Sequence, residues 1–165
     1  MTDRYGRLIY KVAKGDRDAL TVIYNELKDE IYRFSYSLLK SKEESEDNLH
    51  DTVLKIYEKS DTYSGGNGKS WIFTIAHHIA LNRIRSRQKV VVDDELLLGV
   101  KYEEPEVHDF EGLVGFIDDE LDRKILILKI DCGFKLKEIA KMFDTTPNAV
   151  SKRYRKTLQK LKTRV

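Results

Sequence analysis

The sequence predicts an all-α protein of two small helical domains joined by an acidic linker, and three observations predict it. Apolar residues recur every three or four positions from Asp18 to Arg87 and again from about Asp118, and no segment before residue 90 alternates with the period of two that a strand requires. That periodicity fails between Val90 and Glu111, where acidic residues collect with Gly99 and Pro105. Charge follows the same division: the balance is +3 over residues 1–89, −11 over 90–122 and +10 over 123–165, although the whole chain of 165 residues carries only +2. The expected organisation is a first domain over 1–89, a linker over 90–112 and a second domain over 113–165.

The first long helix opens after Gly15, where Asp16 or Asp18 can supply the N-cap. Its stripe of Leu20, Ile23, Tyr24, Leu27, Ile31, Phe34 and Leu38 faces a core, with Lys28, Asp29 and Arg33 on the wet side. A second helix starts near Ser45 and buries Leu49, Val53 and Ile56, with Tyr57 as a further candidate. The three glycines of Asp61-Thr-Tyr-Ser-Gly-Gly-Asn-Gly68 then break regular structure. A third helix runs from about Ser70 to Arg87, with Trp71, Ile72, Ile75, Ala76, Ile79, Ala80 and Ile84 along its buried side.

Within the linker, Glu95-Leu-Leu-Leu-Gly-Val100 reads either as a docking turn or as a small helix. In the second domain, Leu121, Ile125 and Leu128 are the core side of a helix that ends at Cys132-Gly133, with Ile130 as a further candidate. A short helix from Leu136 to Phe143 buries Ile139, Ala140 and Phe143. Asp144-Thr-Thr-Pro147 is a turn in which Thr146 caps the last helix and Pro147 takes its first position. That last helix buries Val150, Tyr154, Leu158 and Leu161.

Composition narrows the class of protein. A single cysteine, Cys132, excludes an internal disulfide and fits a reducing cytoplasm. Apolar runs such as Ile125 to Leu128 fall far short of a membrane span, and Met1 to Gly15 lacks the apolar core of a signal peptide. A soluble, cytoplasmic protein is expected. A +10 excess within residues 123–165 is too lopsided for an ordinary solvated surface, which makes nucleic acid the expected partner.

The C-terminal pattern of short helix, tight turn and basic helix is the geometry that places a helix in the major groove. Asn148, Ser151, Lys152, Arg155 and Lys156 lie on the open side of the last helix or near its exposed N-terminal turns, while Val150, Tyr154, Leu158 and Leu161 fix it to the helices before it. Asn and Arg can read base edges bidentately, whereas Ser and Lys more often hold phosphate oxygens.

Gly133-Phe-Lys-Leu-Lys-Glu-Ile-Ala-Lys-Met-Phe143, followed by Thr145-Thr-Pro-Asn-Ala-Val-Ser-Lys-Arg-Tyr154, resembles the promoter-reading C-terminal domain (region 4) of bacterial sigma factors, and in particular those of the short extracytoplasmic-function type. The N-terminal half resembles region 2 of the same family. Leu8-Ile9, Ala13, Gly15-Asp16, Ala19-Leu20 and Tyr24 match the family's opening helix. Glu46-Asp47, His50-Asp51 and Leu54 match its second helix. Trp71-Ile-Phe-Thr-Ile-Ala76, Ile79-Ala80 and Ile84-Arg85 match its third.

The resemblance implies partners: core RNA polymerase, at its clamp and flap, and promoter DNA. A sequestering anti-sigma protein is a family expectation, and the free chain is expected to be monomeric. By resemblance, the second helix docks on the polymerase clamp through Asp47, Asn48, His50, Asp51 and Lys55, with His50 standing where the family commonly has Gln. The glycine loop holds a base flipped from the non-template strand, with Tyr63, Ser64, Asn67 and Lys69 as its candidates. Asn82, Arg83, Arg85 and Arg87 follow the downstream element's duplex and strand backbone, while the last helix reads the upstream element. Trp71 is expected to pack in the core.

Thr74, His77 and His78 stand where relatives often carry Arg, Lys or Asn. Neutral histidine does not neutralise phosphate, so this helix is expected to open promoters weakly or to select a permissive sequence. By resemblance, the linker threads through polymerase channels that hold nucleic acid. Asp93, Asp94, Glu95, Glu103, Glu104 and Glu106 would mimic its charge there, or fold back on the chain's own basic helices in the free protein.

Other classes fit less well. A one-component helix–turn–helix repressor or activator shares the C-terminal pattern, but residues 1–89 carry no ligand-pocket signature. An enzyme is not indicated: His-Glu-x-x-His, a phosphate-binding glycine loop after a strand and a nucleophile elbow are all missing, so no catalytic residue is assigned. His77-His78 is a poor metal site, because adjacent helical residues point about 100° apart and no His or Cys follows at the i+4 position. No metal and no cofactor are expected.

Overall fold

The computed structural model describes the backbone of residues 3–93 and 114–164, and the side chains of 3–87 and 114–164. Every regular element among them is helical: α1 (Arg4–Ala13), α2 (Arg17–Leu39), α3 (Lys42–Lys59), a 3-10 turn (Ser60–Thr62), α4 (Gly68–Asp93), α5 (Glu120–Leu126), a π-helical turn (Ile127–Asp131), α6 (Leu136–Met142) and α7 (Pro147–Arg164). The chain divides into two compact units, residues 1–81 and 82–165, with the division inside α4.

α1 is the element that apolar periodicity did not reveal, and the residues matched to one opening helix belong to two. The Gly15 N–H donates to the Val12 carbonyl (2.9 Å) and the Asp16 N–H to the Lys11 carbonyl (3.0 Å), a Schellman stop that ends α1. Asp16 then caps α2, accepting the Ala19 N–H at 3.2 Å. Lys40, left-handed at φ 55, ends α2, and Ser41 caps α3, accepting the Glu44 N–H at 3.3 Å.

The core of the first unit joins Ile9 and Val12 of α1, Ile23, Leu27, Ile31 and Phe34 of α2, Ile56 of α3, and Ile72, Phe73 and Ala76 of α4. Phe34 and Phe73 meet with ring centroids 5.6 Å apart at 52°, a tilted pair that adds about 0.5–1.5 kcal/mol beyond its buried area. α4 extends to Asp93, so residues 90–93 are helical where the sequence pattern predicts linker. Of the linker carboxylates, Asp94, Glu95, Glu103, Glu104 and Glu106 lie outside the described residues, as does the run from Glu95 to Val100; for Asp93 only the backbone is described.

The second unit packs α5, the π turn, α6 and α7 around Ile125, Leu126, Ile127, Leu128, Phe134, Ile139, Ala140 and Val150. Ile130, a further candidate for the core, is 49% exposed: two positions after buried Leu128 it falls about 200° round the helix, on the side opposite the Leu121, Ile125 and Leu128 stripe. Met142 rather than Phe143 is the buried residue at the end of α6. Asp144, at φ 52, makes the turn, with the Thr145 N–H on the Ala140 carbonyl at 2.9 Å. Thr146 caps α7, accepting the Ala149 N–H at 3.2 Å.

Candidate functional site

Three surfaces carry the residues that the sequence singles out: one on α7 of the second unit, one on α3 of the first, and one along the glycine loop and α4, the helix that contains the division between units. On α7, Asn148, Lys152, Arg155 and Lys156 are exposed and Ser151 is half-buried. At about 100° per residue they share an arc of about 140°, opposite Val150 and Thr157, both of which are buried. Tyr154, Leu158 and Leu161 flank that buried line and are half-covered.

Arg153 belongs to the other side of α7. It reaches α5, donating to Asp122 Oδ1 at 2.9 Å and to Asp119 Oδ1 at 3.3 Å. The Asp122 N–H, donated to Asp119 as the α5 N-cap, holds the Asp119 carboxyl below its ordinary range, and Arg153 adds to this. Arg153 is thus an orientation clamp for the basic helix, legible only once α5 and α7 are seen together.

On α3, Asp47 and His50 are exposed, and Asp51 and Lys55 are half-buried. Lys55 is paired with Glu58 at 2.8 Å. Asn48 contradicts its assignment to the same polar face. It is fully buried, and its Nδ2 donates to Ser35 Oγ (2.9 Å) and to the Ala76 carbonyl (3.2 Å), tying α3 to α2 and α4. Asn48 stands one helical turn before buried Thr52, at the edge of the buried arc, and its partners on α2 and α4 make it a core tie and not a docking residue.

The outward face instead holds two apolar residues that periodicity did not place there: Leu54, 61% exposed, and Tyr57, 48% exposed. Asp47, His50, Asp51, Leu54 and Tyr57 follow the three- and four-residue spacing of one helix stripe. Continuing that spacing from Asp47 would have found them.

The third surface is the glycine loop and the α4 helix that follows it. Tyr63, expected to meet DNA, is 4% exposed. Its hydroxyl donates to the Gly66 carbonyl at 2.6 Å, and its ring lies edge-on to Trp71 with centroids 5.5 Å apart. Burial pushes the Tyr63 phenol pKa up. It braces the loop from beneath, and Trp71 is half-buried against it. Ser64 and Asn67 are exposed, and Asn67 Oδ1 accepts the Ser70 N–H at 2.9 Å as the cap of α4.

Lys69 is paired with Glu30 at 2.6 Å and lies 5.8 Å from the Phe73 ring centroid, so a phosphate would have to compete with that carboxylate. Farther along α4, Asn82 and Arg85 are exposed, and Arg83 and Arg87 are half-buried. His77 is 8% exposed, with its ring centroid 6.3 Å from that of Phe34, so it faces the core and is not placed to meet a phosphate. His78 is exposed, and Thr74 Oγ1 donates back to the Ser70 carbonyl at 2.8 Å.

Among the described residues, no three His, Cys, Asp or Glu side chains gather as metal ligands would. No helix there is long and apolar enough to cross a membrane.

Comparison with known proteins agrees with this layout. The Sigma-70 region 2 family model matches residues 23–90, and the Sigma-70 region 4 model matches residues 119–161. A curated relative, the ECF RNA polymerase sigma factor SigK of Mycolicibacterium vanbaalenii, is 26% identical over 125 residues, covering 74% of this chain and 63% of SigK. SigW of Bacillus subtilis, also an ECF RNA polymerase sigma factor, is 31% identical over 81 residues, covering 48% of this chain and 43% of SigW. The alignments thus span less than two thirds of either relative's length.

Among solved structures, the sigma factor RpoE of Bartonella quintana, crystallised with the anti-sigma factor NepR, shares the fold. The TM-score is 0.68 at 22% identity, covering 86% of this chain and 94% of RpoE. With both family regions present in order over the two helical units, the chain belongs to the sigma-70 family, as a member of the extracytoplasmic-function type.

Proposed function

We propose that this protein is a transcription initiation factor that binds core RNA polymerase and directs it to a limited set of promoters. The C-terminal unit reads the upstream element as duplex through Asn148, Ser151, Lys152, Arg155 and Lys156. The N-terminal unit docks on the polymerase clamp through the α3 stripe and engages the opened downstream element. Ser64 and Asn67 of its loop serve an unpaired base, and Asn82, Arg83, Arg85 and Arg87, farther along α4, follow the backbone. Lys69 joins them only by leaving Glu30. The chain supplies positioning and strand capture, while phosphodiester synthesis belongs to the polymerase.

The observation that carries this reading is the α3 stripe. A helix–turn–helix alone serves a repressor equally well. An outward stripe with Leu54 and Tyr57 among Asp47, His50 and Asp51 supplies what a protein-docking face needs, an apolar centre with a charged rim. By family, a sequestering protein of the anti-sigma kind would compete for such a face, as NepR is found with RpoE.

The direct test is in vitro transcription with core polymerase on a genomic fragment library. Sequence-selective initiation is expected, and its absence above core alone would overturn the assignment. Sedimentation tests the repressor alternative, since a stable dimer of the free chain would favour it.

A further inference from the structure

The glycine loop is not built from its own residues alone. Tyr63 is buried beneath it, so the aromatic side chain exposed beside it comes from elsewhere: Tyr10 of α1, 39% exposed. The Tyr10 ring meets Tyr63 with centroids 5.1 Å apart at 59°, a tilted contact rather than a face-to-face stack. Its hydroxyl lies 3.6 Å from the position a Cβ would take on Gly65. Gly65 and Gly66 both sit at positive φ, 106° and 92°, and nothing lies within 4 Å of a Cβ placed on Gly66. The half-exposed phenol ring therefore stands beside the glycine backbone, with open space outside Gly66.

We propose that Tyr10 is the aromatic platform on which an unpaired nucleobase stacks when the opened strand enters this loop. The proposal rests on the reading of the loop as a single-strand contact and adds to it a residue that precedes the region 2 match at residues 23–90. A base taken out of the helix loses its stacking partners, and a tyrosine face restores that stacking without selecting one base over another. The Tyr10–Tyr63–Trp71 series fixes the platform: Trp71 meets Tyr63, Tyr63 meets Tyr10, and the Tyr63 hydroxyl holds the loop through Gly66. Sequence preference at this position would then come from Ser64 and Asn67, whose side chains can reach a base edge, while Tyr10 supplies affinity.

The test uses the full chain with core polymerase on a promoter selected by its own transcription. The template is pre-opened by non-complementary strands, with 2-aminopurine placed at each unpaired non-template position in turn. One position should be quenched in the wild type and brightened in Tyr10→Leu, with opening of the ordinary duplex promoter reduced about tenfold, a fair loss for one base–aromatic stack. Tyr10→Phe should keep both the quenching and the opening. An independent readout needs no variant: 5-iodouracil scanned through the same strand should photocrosslink to Tyr10 at that position.

Unchanged fluorescence in Tyr10→Leu, or crosslinks that fall only on other residues, would overturn the platform while leaving the promoter-opening role intact. Failure of the wild type to open any promoter would overturn the loop reading itself. Should Tyr10→Leu not fold, the crosslink position decides alone.

Discussion

The Asp3 carboxylate and the Gly68 N–H are joined by a 3.0 Å hydrogen bond across 65 positions of sequence. The same Oδ1 accepts the Gly6 N–H at 2.8 Å, so one side chain caps the first turn of α1 and the first residue of α4. Two helix N-termini converge on it, and each places partial positive charge against the carboxylate. The convergence needs glycine: a Cβ on Gly68 would lie 2.2 Å from the Gly6 nitrogen and 2.6 Å from the Tyr5 carbonyl carbon, both backbone atoms.

Removing this joint should destabilise the first unit. Asp3→Ala loses two capped N–H groups and is expected to cost about 1–2 kcal/mol. Asp3→Asn, which keeps an acceptor, should cost less. Gly68→Ala should cost more than either, because backbone must move. Urea unfolding followed at Trp71 checks the order, and a neutral Gly68→Ala would show that the two helix ends can separate freely.

Asn48 offers a second test, because burial and an interface role predict opposite results. Asn48→Ala leaves Ser35 Oγ and the Ala76 carbonyl without their shared donor in a buried site and should cost about 1–3 kcal/mol of stability. Asp47→Ala and His50→Ala, on the outward face, should leave stability within about 0.5 kcal/mol. Leu54→Asp should also leave the fold intact, since its side chain is 61% exposed, yet weaken assembly with core polymerase at least tenfold. Thermal melts paired with polymerase pull-down titrations separate the two classes. An Asn48→Ala variant that melts normally and binds poorly would restore Asn48 to the interface.

The same pair of neighbours shows how far the sequence could be read. Leu49 and Ile56 announce the buried arc of α3 by their spacing, but a polar residue at its edge carries no mark of which way it points. Asn48 is identified as buried only by partners on two other helices. α1 escaped for a different reason. Tyr5, Leu8, Ile9 and Val12 do keep the three- and four-residue spacing of a helix face. The stop that separates this short stripe from the next, however, is made by backbone bonds at Gly15 and Asp16, which leave no apolar mark. The turn before α7 was legible because Thr146 and Pro147 act locally, within one turn of chain. Arg153 was not, because its meaning depends on Asp119 and Asp122 more than thirty residues away.

That clamp predicts an acid-sensitive second unit. Asp119 has its folded pKa lowered from 3.8, first by the Asp122 N–H and then by Arg153. A depressed carboxylate stabilises above its unfolded value, and the contribution is lost as pH falls through the folded value. Stability should therefore hold above about pH 4 and decline below it. Asp119 is 48% exposed on its side chain, so solvent screening keeps the effect small. Asp119→Asn should flatten the acid limb of a urea midpoint-against-pH curve, and Arg153→Met should flatten it only in part. Arg153→Met should also lower stability at neutral pH by about 1–3 kcal/mol, because the Asp122 side chain, only 10% exposed, loses its cation. Equal acid limbs in all three proteins would remove Asp119 from the account.

The two sides of α7 should separate in salt. Lys152, Arg155 and Lys156 face outward, and replacing any one of them with Ala should reduce the slope of log affinity against log salt by about 1, the share of a single neutralised phosphate. Asn148 stands at the N-terminal turn, where a recognition helix meets base edges. Asn148→Ala should therefore leave the slope unchanged and relax preference at one base pair by about 1–3 kcal/mol. Arg153→Ala removes an equal charge from the same helix, but that charge is already satisfied by Asp119 and Asp122, so the slope should not fall. Salt titrations of the polymerase complex on a fragment carrying its selected promoter measure each of these variants. A slope reduced by Arg153→Ala as much as by Arg155→Ala would mean that the helix binds DNA by its charge alone, and that the orientation set by α5 plays no part in reading.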